Sequence, residues 1–416
     1  MRQMKDSGIE WIGQIPQTWD EHPIYYYFAE RKNKNIFGQE QNLLSLSYGK
    51  IIRKDINSTE GLLPENYNGY NIVYAGDIVM RLTDLQNDQR SLRTGLVYEK
   101  GIVTSAYVTL RPKMDLDSRY FHYLLHTFDV LKVFYNMGNG VRQGLNFAQL
   151  SKCKLIAPPL AEQERIAEFL DAKCAEVDAL AREIKEEIAT LEEYKRSVIT
   201  EAVTKGLDAS VPMKDSGIEW IGEIPQSWDV LPNKYIMKKT KELCQKYSGQ
   251  AILSLTMNGV IERDLDAGGK MPSSFDGYQL IKKGNLLLCL FDIDVTPRCA
   301  GLILKDGVTS PAYSQFVMTN MAYAPYFAYY YIMVDNTKEL LHMTKNLRYS
   351  LNEEQFGAIK APCPPLAEQE RIAEFLDAKC AEVDALIAEK QNQLATLEEY
   401  KKSVIFEYVT GKKEIV

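Results

Sequence analysis

The sequence contains the same long segments twice, and this duplication constrains the fold more than any other feature. Residues 4–20 read MKDSGIEWIGQIPQTWD, and residues 213–229 read MKDSGIEWIGEIPQSWD, which differs at two positions. Residues 158–180, PPLAEQERIAEFLDAKCAEVDAL, return unchanged at 364–386. A period of about 207 residues is far too long for one unit of a solenoid. The chain is therefore a duplicated pair of domains.

Two inserts, residues 21–157 and 230–363, lie between these near-identical segments and resemble each other only weakly, as where Leu44-Ser-Leu-Ser corresponds to Leu253-Ser-Leu-Thr. Stretches rich in valine, isoleucine and tyrosine predict strands, and amphipathic stretches predict helices. The strand stretches are Asn71 to Leu82, Leu96 to Leu110 and Leu286 to Ile293, and the helical stretches are Arg119 to Tyr135 and Tyr326 to His342. The contrast indicates that the repeated segments do one job twice, while the inserts do parallel jobs on different targets.

Each copy ends in a long predicted helix. The prolines at 158–159 and 364–365 mark its start, since proline is tolerated in the first helical turn. Gly206 and Gly411 mark its end, as C-terminal glycines often do. Each helix should therefore contain about 45 residues and extend roughly 65 Å.

The apolar residues of the first long helix recur from Ile166 to Val198 at steps of mostly 3, 4 or 7, which is coiled-coil spacing. The second copy departs from this pattern at Lys390, where the first has Ile184. Helices of this length cannot bury an apolar seam against their own small domains. We expect them to pair with each other as an antiparallel coiled coil with pseudo-two-fold symmetry. The alternative is two separate helices that pack on different partners.

The composition is that of an ordinary globular protein. The 416 residues are 45% hydrophobic and 25% charged, which excludes a disordered or low-complexity chain and predicts several domains. Because no apolar run is long enough to cross a bilayer, we expect a soluble cytoplasmic protein without a membrane partner. The seven cysteines form no CxxC pair and the four histidines no HExxH motif, so we expect reduced, buried thiols and no metal site.

Motifs for catalysis are missing from the sequence. There is no GxxxxGK[ST] phosphate loop and no Asn/Asp-Pro-Pro-Tyr/Phe motif for adenine methyl transfer. Gly138 to Gly144 has the spacing GxGxxxG, which predicts a loop, and Glu183-Ile-Lys185 lies inside the predicted helix as a solvated charge pair. We therefore predict no catalytic residue and no cofactor bound by this chain.

The charge is distributed unevenly between the inserts and the rest. The chain carries a net charge of −7, yet lysine and arginine outnumber aspartate and glutamate in both inserts, by 17 to 13 and by 15 to 12. Attraction to DNA depends on a local basic face and not on the total charge. A surplus this small is weak evidence by itself, but both inserts share its sign against an acidic remainder.

The repeated segments resemble one known family. The motif Pro-Pro-Leu-Ala-Glu-Gln-Glu-Arg-Ile-Ala-Glu-Phe-Leu-Asp, present twice, and Gly-Ile-Glu-Trp-Ile-Gly-x-Ile-Pro-x-x-Trp, opening each half, resemble the specificity subunit of type I restriction–modification systems. The resemblance covers essentially the whole chain. It implies an α+β fold in which two α/β target-recognition domains are separated by two long antiparallel helices. The implied domains are residues 1–157, 158–212, 213–363 and 364–416.

The resemblance also implies a function without catalysis. Each target-recognition domain would read one half of a bipartite site in double-stranded DNA. The long helices would set the gap between the half-sites and dock two modification subunits, which methylate adenine with S-adenosylmethionine. Restriction subunits would add cleavage driven by ATP and Mg²⁺. All these cofactors would be bound by the partner subunits.

The duplication gives a rule for choosing DNA-contacting residues. Positions kept in both inserts cannot explain two different half-sites, so divergent polar positions are the candidates for base contacts. Arg142 and Arg348 recur in both inserts, and we assign them to phosphate contacts or to a structural ion pair. The stretch from Arg81 to Arg93 and its counterpart from Asp292 to Arg298 are the places to seek base contacts. The full set is Lys50, Arg53, Arg81, Gln86, Asn87, Arg90, Arg93, Arg142, Arg263, Lys270, Arg298, Lys345 and Arg348. For any single one of them, a solvated surface charge is the alternative.

Three other classes of protein are compatible with parts of this pattern. A self-sufficient methyltransferase–nuclease would need the methyltransferase motif that the sequence lacks. A structural coiled-coil protein would leave the divergence of the inserts unexplained. A free-standing DNA-binding regulator would bind its operator tightly without partner subunits.

Overall fold

The chain folds into two compact units with the same order of elements. The computed structural model describes residues 2–56, 66–85, 92–137, 144–264, 272, 274–296, 298–344 and 349–415. Unit 1 comprises Met1–Ile184 with Asn392–Val416, and unit 2 comprises Lys185–Gln391. The sequence predicts a division by element, with each long helix apart from its insert. The contacts instead group each insert with one part of each long helix.

Four helices organise the two units: α1, Ser118–Val130; α2, Leu160–Lys205; α3, Ala324–Asn336; and α4, Leu366–Val409. The long helices α2 and α4 contain 46 and 44 residues, which confirms the predicted length. Gly206 and Gly411 follow them at φ +76° and +67°, the left-handed conformation that glycine adopts readily at a helix end. Shorter helices and 3₁₀ turns are Ile24–Tyr27, Ile36–Gly38, Val133–Asn136, Phe147–Leu150, Asn233–Ile236, Glu339–His342 and Glu353–Ala358.

Unit 1 is built on a four-stranded antiparallel sheet with the order Phe28–Glu30, Val108–Pro112, Ile78–Met80, Thr94–Leu96. Two-stranded antiparallel pairs surround it: Met4–Asp6 with Gln14–Pro16, Asp20–Pro23 with Lys154–Ala157, Leu44–Ser47 with Lys50–Arg53, and Asn71–Val73 with Gly101–Val103. The predicted strand from Asn71 to Leu82 is in fact two strands, because the chain turns at Gly76 with φ +89°. The predicted helix from Arg119 is α1 followed by a 3₁₀ turn.

Unit 2 repeats this sheet with the order Met237–Thr240, Ser314–Met318, Leu286–Leu288, Ala300–Leu302. Its other pairings are Met213–Asp215 with Glu223–Pro225, Asp229–Pro232 with Lys360–Cys363, Leu253–Thr256 with Gly259–Glu262, and Gln279–Ile281 between Glu242–Leu243 and Gly307–Thr309. The weakly related inserts therefore share one fold, as the duplication predicts.

The long helices pair antiparallel in both units. In unit 1, the Phe169 ring lies 4.4 Å from that of Tyr408, and Lys401 Nζ lies 2.6 Å from Asp178 Oδ1. Residue numbers therefore increase along α2 as they decrease along the facing part of α4, which makes the two helices antiparallel. In unit 2 the equivalent ion pair joins Lys195 Nζ to Asp384 Oδ2 at 2.6 Å. The expected antiparallel pairing is confirmed, and the alternative of two helices on separate partners is wrong.

The departure of the repeat at Lys390 has a local explanation. Ile184 is buried in unit 1, whereas Lys390 in unit 2 places its Nζ 2.5 Å from Glu187 Oε2 at the surface. The substitution therefore exchanges one apolar seam contact for an exposed ion pair and leaves the helix intact.

The opening motif of each repeat joins the insert to the end of a long helix. Trp19 is fully buried, edge-on to Tyr120, and the Tyr120 hydroxyl donates to the carbonyl of Val409 at 3.0 Å. Trp228 and Tyr326 repeat this arrangement against the carbonyl of Val203 at 3.0 Å. This contact explains why the motif and the helix are repeated together.

Candidate nucleic-acid interface

Six of the predicted DNA-contacting residues are among the described residues: Lys50, Arg53, Arg81, Arg93, Arg263 and Arg298. The other seven lie outside the described residues: Gln86, Asn87, Arg90, Arg142, Lys270, Lys345 and Arg348. Some of the six lie at an exposed hairpin or in a groove, and the others point into the protein and bond to groups in its interior.

Lys50 and Arg53 lie on an exposed hairpin of unit 1. Its strands are joined by Tyr48-Gly49, and both residues have positive φ, which is the two-residue turn that fits the twist of a hairpin. The Lys50 Nζ lies 3.7 Å from Asp178 on α2, and the Arg53 Nε donates to Glu99 at 2.6 Å. Both cations therefore stand at the surface, where a phosphate could replace their carboxylate partners.

Two tyrosines beside these cations were missed by sequence reasoning. Tyr48 is 84% exposed and Tyr98 is 72% exposed. The sequence favours tyrosines as core residues, and only the turn geometry at Tyr48 indicates otherwise. Unit 2 has Met257 and Leu304 at the equivalent positions, also exposed. Large exposed apolar side chains at the same place in both units indicate a contact surface.

A cavity of about 320 Å³ lies below Tyr48 and Tyr98 in unit 1. His122 and His126 of α1 line it together with Asp171 of α2 and Lys401 of α4. Burial lowers the pKa of His122 to about 4 and that of His126 to about 3, and for His126 the nearby His122 adds to the effect. Both imidazoles are therefore neutral at pH 7 and do not extend the basic surface.

The structure corrects the prediction of a base contact at Arg93. Its side chain is fully buried, and its guanidinium donates to the carbonyls of Arg81, Thr83 and Asp84. The Nε donates to the Tyr135 hydroxyl at 3.0 Å. Arg93 thus stabilises the preceding chain segment from inside. Arg81 is half-buried, and its backbone N–H donates to the carbonyl of Arg93 at 2.8 Å.

The side chain of Arg298 in unit 2 also points toward the protein interior. Its side chain is 12% exposed, and Nη1 lies 3.0 Å from Asn336 Oδ1 and 3.5 Å from Asp335 Oδ2. The carboxylate of Asp335 additionally accepts from Lys338 Nζ at 2.8 Å. A base contact by Arg298 would have to compete with these acceptors.

Arg263 lines a broad groove of about 1020 Å³ in unit 2. The same groove is lined by Lys282 and Lys305, which pair with Glu242 at 3.9 Å and with Glu262 at 2.7 Å. The acidic residues Asp264 and Asp306 also line it. Acidic and basic side chains are thus mixed in the lining of this groove, which therefore has no uniformly basic face.

The long helices carry a different type of surface. Leu180 and Tyr194 of α2 are exposed, and so are their repeat equivalents Leu386 and Tyr400 of α4. These positions belong to the predicted coiled-coil pattern, but the partner helix covers them incompletely. Large apolar residues exposed at equivalent points of both copies fit a protein-binding surface that is used twice.

The described residues provide little for metal chemistry. Among them, no group of three or more histidine, cysteine, aspartate or glutamate side chains is arranged to hold a metal ion. Each of the seven cysteines is buried. None of the helices in the described ranges is long and apolar enough to cross a membrane.

The family described as type I restriction modification DNA specificity domain matches residues 28–190 and 311–396, which is more than half of the chain. A relative from Methanocaldococcus jannaschii, the putative type I restriction enzyme MjaX specificity subunit, is 24% identical over 430 residues, 96% of this chain and 95% of its own length. The MjaVIII specificity subunit of the same organism is 26% identical over 335 residues, 76% of this chain and 75% of its own.

A solved structure shares the fold. Its description is "Structural basis underlying complex assembly and conformational transition of the type I R-M system", and the similarity has a TM-score of 0.68 at 14% sequence identity over 96% of this chain and 99% of that chain. The duplicated opening motif, the two inserts of one fold and the antiparallel long helices agree with the family match over both repeats. The chain therefore belongs to the type I restriction–modification DNA specificity family and is a specificity subunit.

Proposed function

We propose that each unit reads one half of a bipartite site in double-stranded DNA. The observation that carries this proposal is the contrast between the units: the same sheet, helix and tryptophan–tyrosine contact hold inserts of different sequence. One scaffold with two different surfaces suits the recognition of two different half-sites. The positive charge balance of both inserts supports a DNA ligand.

In this proposal, the exposed apolar residues of the long helices bind the partner subunits. Two modification subunits dock on the equivalent apolar positions of α2 and α4, one on Leu180 with Tyr400 in unit 1 and one on Leu386 with Tyr194 in unit 2. Equivalent positions in the two copies favour two copies of one partner. Restriction subunits join this complex and supply site-specific cleavage.

In this proposal, the modification and restriction subunits carry out the catalysis. The modification subunits bind S-adenosylmethionine and methylate adenine at N6, and the restriction subunits use ATP and Mg²⁺. The present chain supplies sequence recognition and docking. The proposed complex acts on chromosomal DNA in the cytoplasm of a prokaryotic cell.

Co-expression with the neighbouring modification-subunit gene, followed by methylome sequencing of the host DNA, tests this function. The expected result is a new N6-methyladenine mark on a split motif. Exchange of the first insert, residues 21–157, for the insert of a related subunit should change one half of that motif and leave the other half intact. An exchange of residues 230–363 is the matched control, since it should change only the other half.

Two outcomes would contradict the proposal. A stable complex that gives no methylation with any insert, and that selects no split motif from a library of duplexes, would contradict DNA recognition by the inserts. The absence of any complex with the modification subunit would exclude docking on the helices and favour a free-standing DNA-binding protein.

A further inference from the structure

Arg93 is an unusual interior residue in unit 1. It is one of the largest fully buried side chains of the described part of the chain, and the others of similar size are aromatic. Burial of a guanidinium is unfavourable unless its N–H groups find acceptors. The groups that supply these acceptors therefore show what the buried arginine does.

Three of the acceptors come from one short segment. Nη1 donates to the carbonyl of Thr83 at 2.7 Å and to that of Arg81 at 3.2 Å, and Nη2 donates to the carbonyl of Asp84 at 3.2 Å. Asp84 has φ +58°, a left-handed conformation that is uncommon for residues other than glycine. The guanidinium thus holds residues 81–84 in a bent conformation at the start of the stretch predicted to read bases.

Tyr135 and Asp129 fix Arg93 in turn. The Tyr135 hydroxyl accepts from Nε at 3.0 Å, and its ring lies 5.3 Å from the guanidinium carbon. The backbone N–H of Arg93 donates to Asp129 Oδ2 at 2.5 Å. Asp129 is a buried residue of α1. Arg93 therefore connects the bent segment to the main helix of the unit.

Unit 2 keeps the connection to the helix but holds the segment differently. Cys299 occupies the position of Arg93, and its backbone N–H donates to Asp335 Oδ2 at 3.0 Å. The Cys299 thiol cannot donate hydrogen bonds to three carbonyls as a guanidinium does. In unit 2, Lys338 Nζ donates to the carbonyl of Thr296 at 2.9 Å. The Thr296 hydroxyl donates to the carbonyl of Asp292 at 2.8 Å, and Asp292 has φ +46°. Both units thus bend the chain at an aspartate. Arg93 contacts the bend in unit 1, and Lys338 contacts it in unit 2; the repeat equivalent of Lys338 in unit 1 is Lys132, whose Nζ donates to the Tyr135 hydroxyl at 3.1 Å.

We propose that Arg93 is the positioning residue for base reading by unit 1, and that Lys338 with Thr296 has this role in unit 2. The inference rests on the proposed function, since it concerns the half-site that each unit reads. The bond from the backbone to the aspartate is common to both units and belongs to the scaffold. Arg93 has no counterpart in unit 2, where Cys299 occupies its position, so the contacts of its guanidinium with residues 81–84 are specific to unit 1.

Selection from a random-sequence duplex library tests this assignment. The full-length chain, co-purified with the modification subunit, is used as wild type and as the variants Arg93→Lys, Tyr135→Phe and Lys338→Met. Lysine keeps the charge of arginine but not its planar fork of donors, so Arg93→Lys should hold residues 81–84 less well. Tyr135→Phe leaves Arg93 in place and removes only one of its acceptors, which keeps the test valid if a substitution at Arg93 prevents folding.

Arg93→Lys should reduce discrimination among bases in one half-site on the order of tenfold, while the other half-site stays within about twofold of wild type. Tyr135→Phe should give a smaller change in the same half-site. Lys338→Met should change only the opposite half-site. Thermal unfolding of each variant provides the folded fraction, so that selectivity is compared at equal amounts of folded protein.

A general loss of stability would weaken both half-sites together, and that result would overturn the positioning role. Unchanged selectivity in Arg93→Lys would overturn it as well. If the wild-type complex itself selects no split motif, the proposed function fails, and this outcome is distinct from a failure of the inference about Arg93.

Discussion

Gln163 and Gln369 show at the scale of single residues what the repeated sequence preserves. Gln163 Oε1 accepts from the backbone N–H of Asp117 at 3.0 Å, and Nε2 donates to the carbonyl of Pro158 at 2.8 Å. Gln369 makes the same two kinds of contact with Tyr323 at 2.7 Å and Pro364 at 2.8 Å. Each glutamine thus holds the residue that precedes α1 or α3 against the start of a long helix.

Replacement of Gln369 by leucine should destabilise the protein by about 1–3 kcal/mol, because the backbone groups that it bonds would be left buried without this partner. Leucine and glutamine have similar helix propensity, so the helix itself should be unaffected. Urea unfolding followed by circular dichroism measures the change. Gln391→Leu on the exposed surface of α4 is the control and should stay within about 0.5 kcal/mol of wild type. Equal effects of both substitutions would contradict the assigned role.

Sequence reasoning identified the repeated motif but not the contacts of its residues. The polar stretch around Arg93 predicts an exposed loop, since four of its neighbours are Arg, Asn or Gln. Burial of Arg93 depends on Tyr135 and Asp129, which follow some forty residues later and carry no local signal. A charged residue can be buried only where residues distant in sequence supply hydrogen-bond partners, and residue spacing along one sequence does not reveal such partners.

At the scale of elements, the helices were predicted well because their signals are local. The double proline, the apolar period and the final glycine all lie within the helix or next to it. Strands were predicted too long, since valine-rich stretches continue through turns such as the one at Gly76. The coiled-coil spacing does not show that Leu180 and Leu386 remain exposed, because that depends on how completely the partner helix covers them.

Ile184 and Lys390 occupy equivalent positions of the long helices, and exchanging them should have unequal effects. Ile184→Lys places a charge in a buried site and should reduce the free energy of unfolding by at least about 2 kcal/mol. Lys390→Ile removes only a surface ion pair with Glu187, so a change within about 1 kcal/mol is expected. Thermal melting of both variants provides the measurement. Similar losses in the two variants would show that the environments do not differ as the structure indicates.

The histidines of α1 should make unit 1 sensitive to acid. Their pKa values, about 4 for His122 and about 3 for His126, lie below the value of about 6.5 expected in an unfolded chain. The unfolded state therefore binds protons that the folded state does not, and stability falls as the pH decreases from about 6.5 toward 4. Each imidazole contributes at most about 1.4 kcal/mol per pH unit.

The same positions in α3 are Ala328 and Ile332, which supply the matched substitutions. The double variant His122→Ala with His126→Ile should flatten the dependence of the melting temperature on pH between about 4 and 6.5. The nearby charged residues Asp171, Lys401 and Lys402 are present in both proteins, so they do not account for a difference between the two profiles. An unchanged pH profile would show that these imidazoles titrate normally in the folded protein.

At the scale of the whole molecule, each unit is assembled from both repeats. Unit 1 takes the end of α4, and unit 2 takes the end of α2. Sequence reasoning found the duplication and the pairing of the helices, but it placed each helix apart from the inserts. Contacts such as the one from Tyr120 to Val409 join residues far apart in sequence and are visible only in the fold.

Proteolytic cleavage of the chain between the two repeats should leave the two fragments associated. The connecting segment around Asp208 to Ser210 is exposed, and an inserted protease site there would yield one fragment for each repeat. Both units contain residues from both fragments, so the fragments should co-elute at the mass of the full chain in size-exclusion chromatography. The ion pairs Lys401–Asp178 and Lys195–Asp384 cross from one fragment to the other. Separation of the fragments without denaturant would contradict the shared assembly.

The contact between Tyr120 and Val409 also affects the order in which the chain can fold during synthesis. The core of unit 1 includes Val404, Ile405 and Val409, which are made only after all of unit 2 has been synthesised. At about 5–20 residues per second, the first insert waits roughly twelve to fifty seconds for these residues. Throughout that interval the apolar surface that receives α4 lacks this cover, so we expect the first half of the chain to depend on chaperones more than the second.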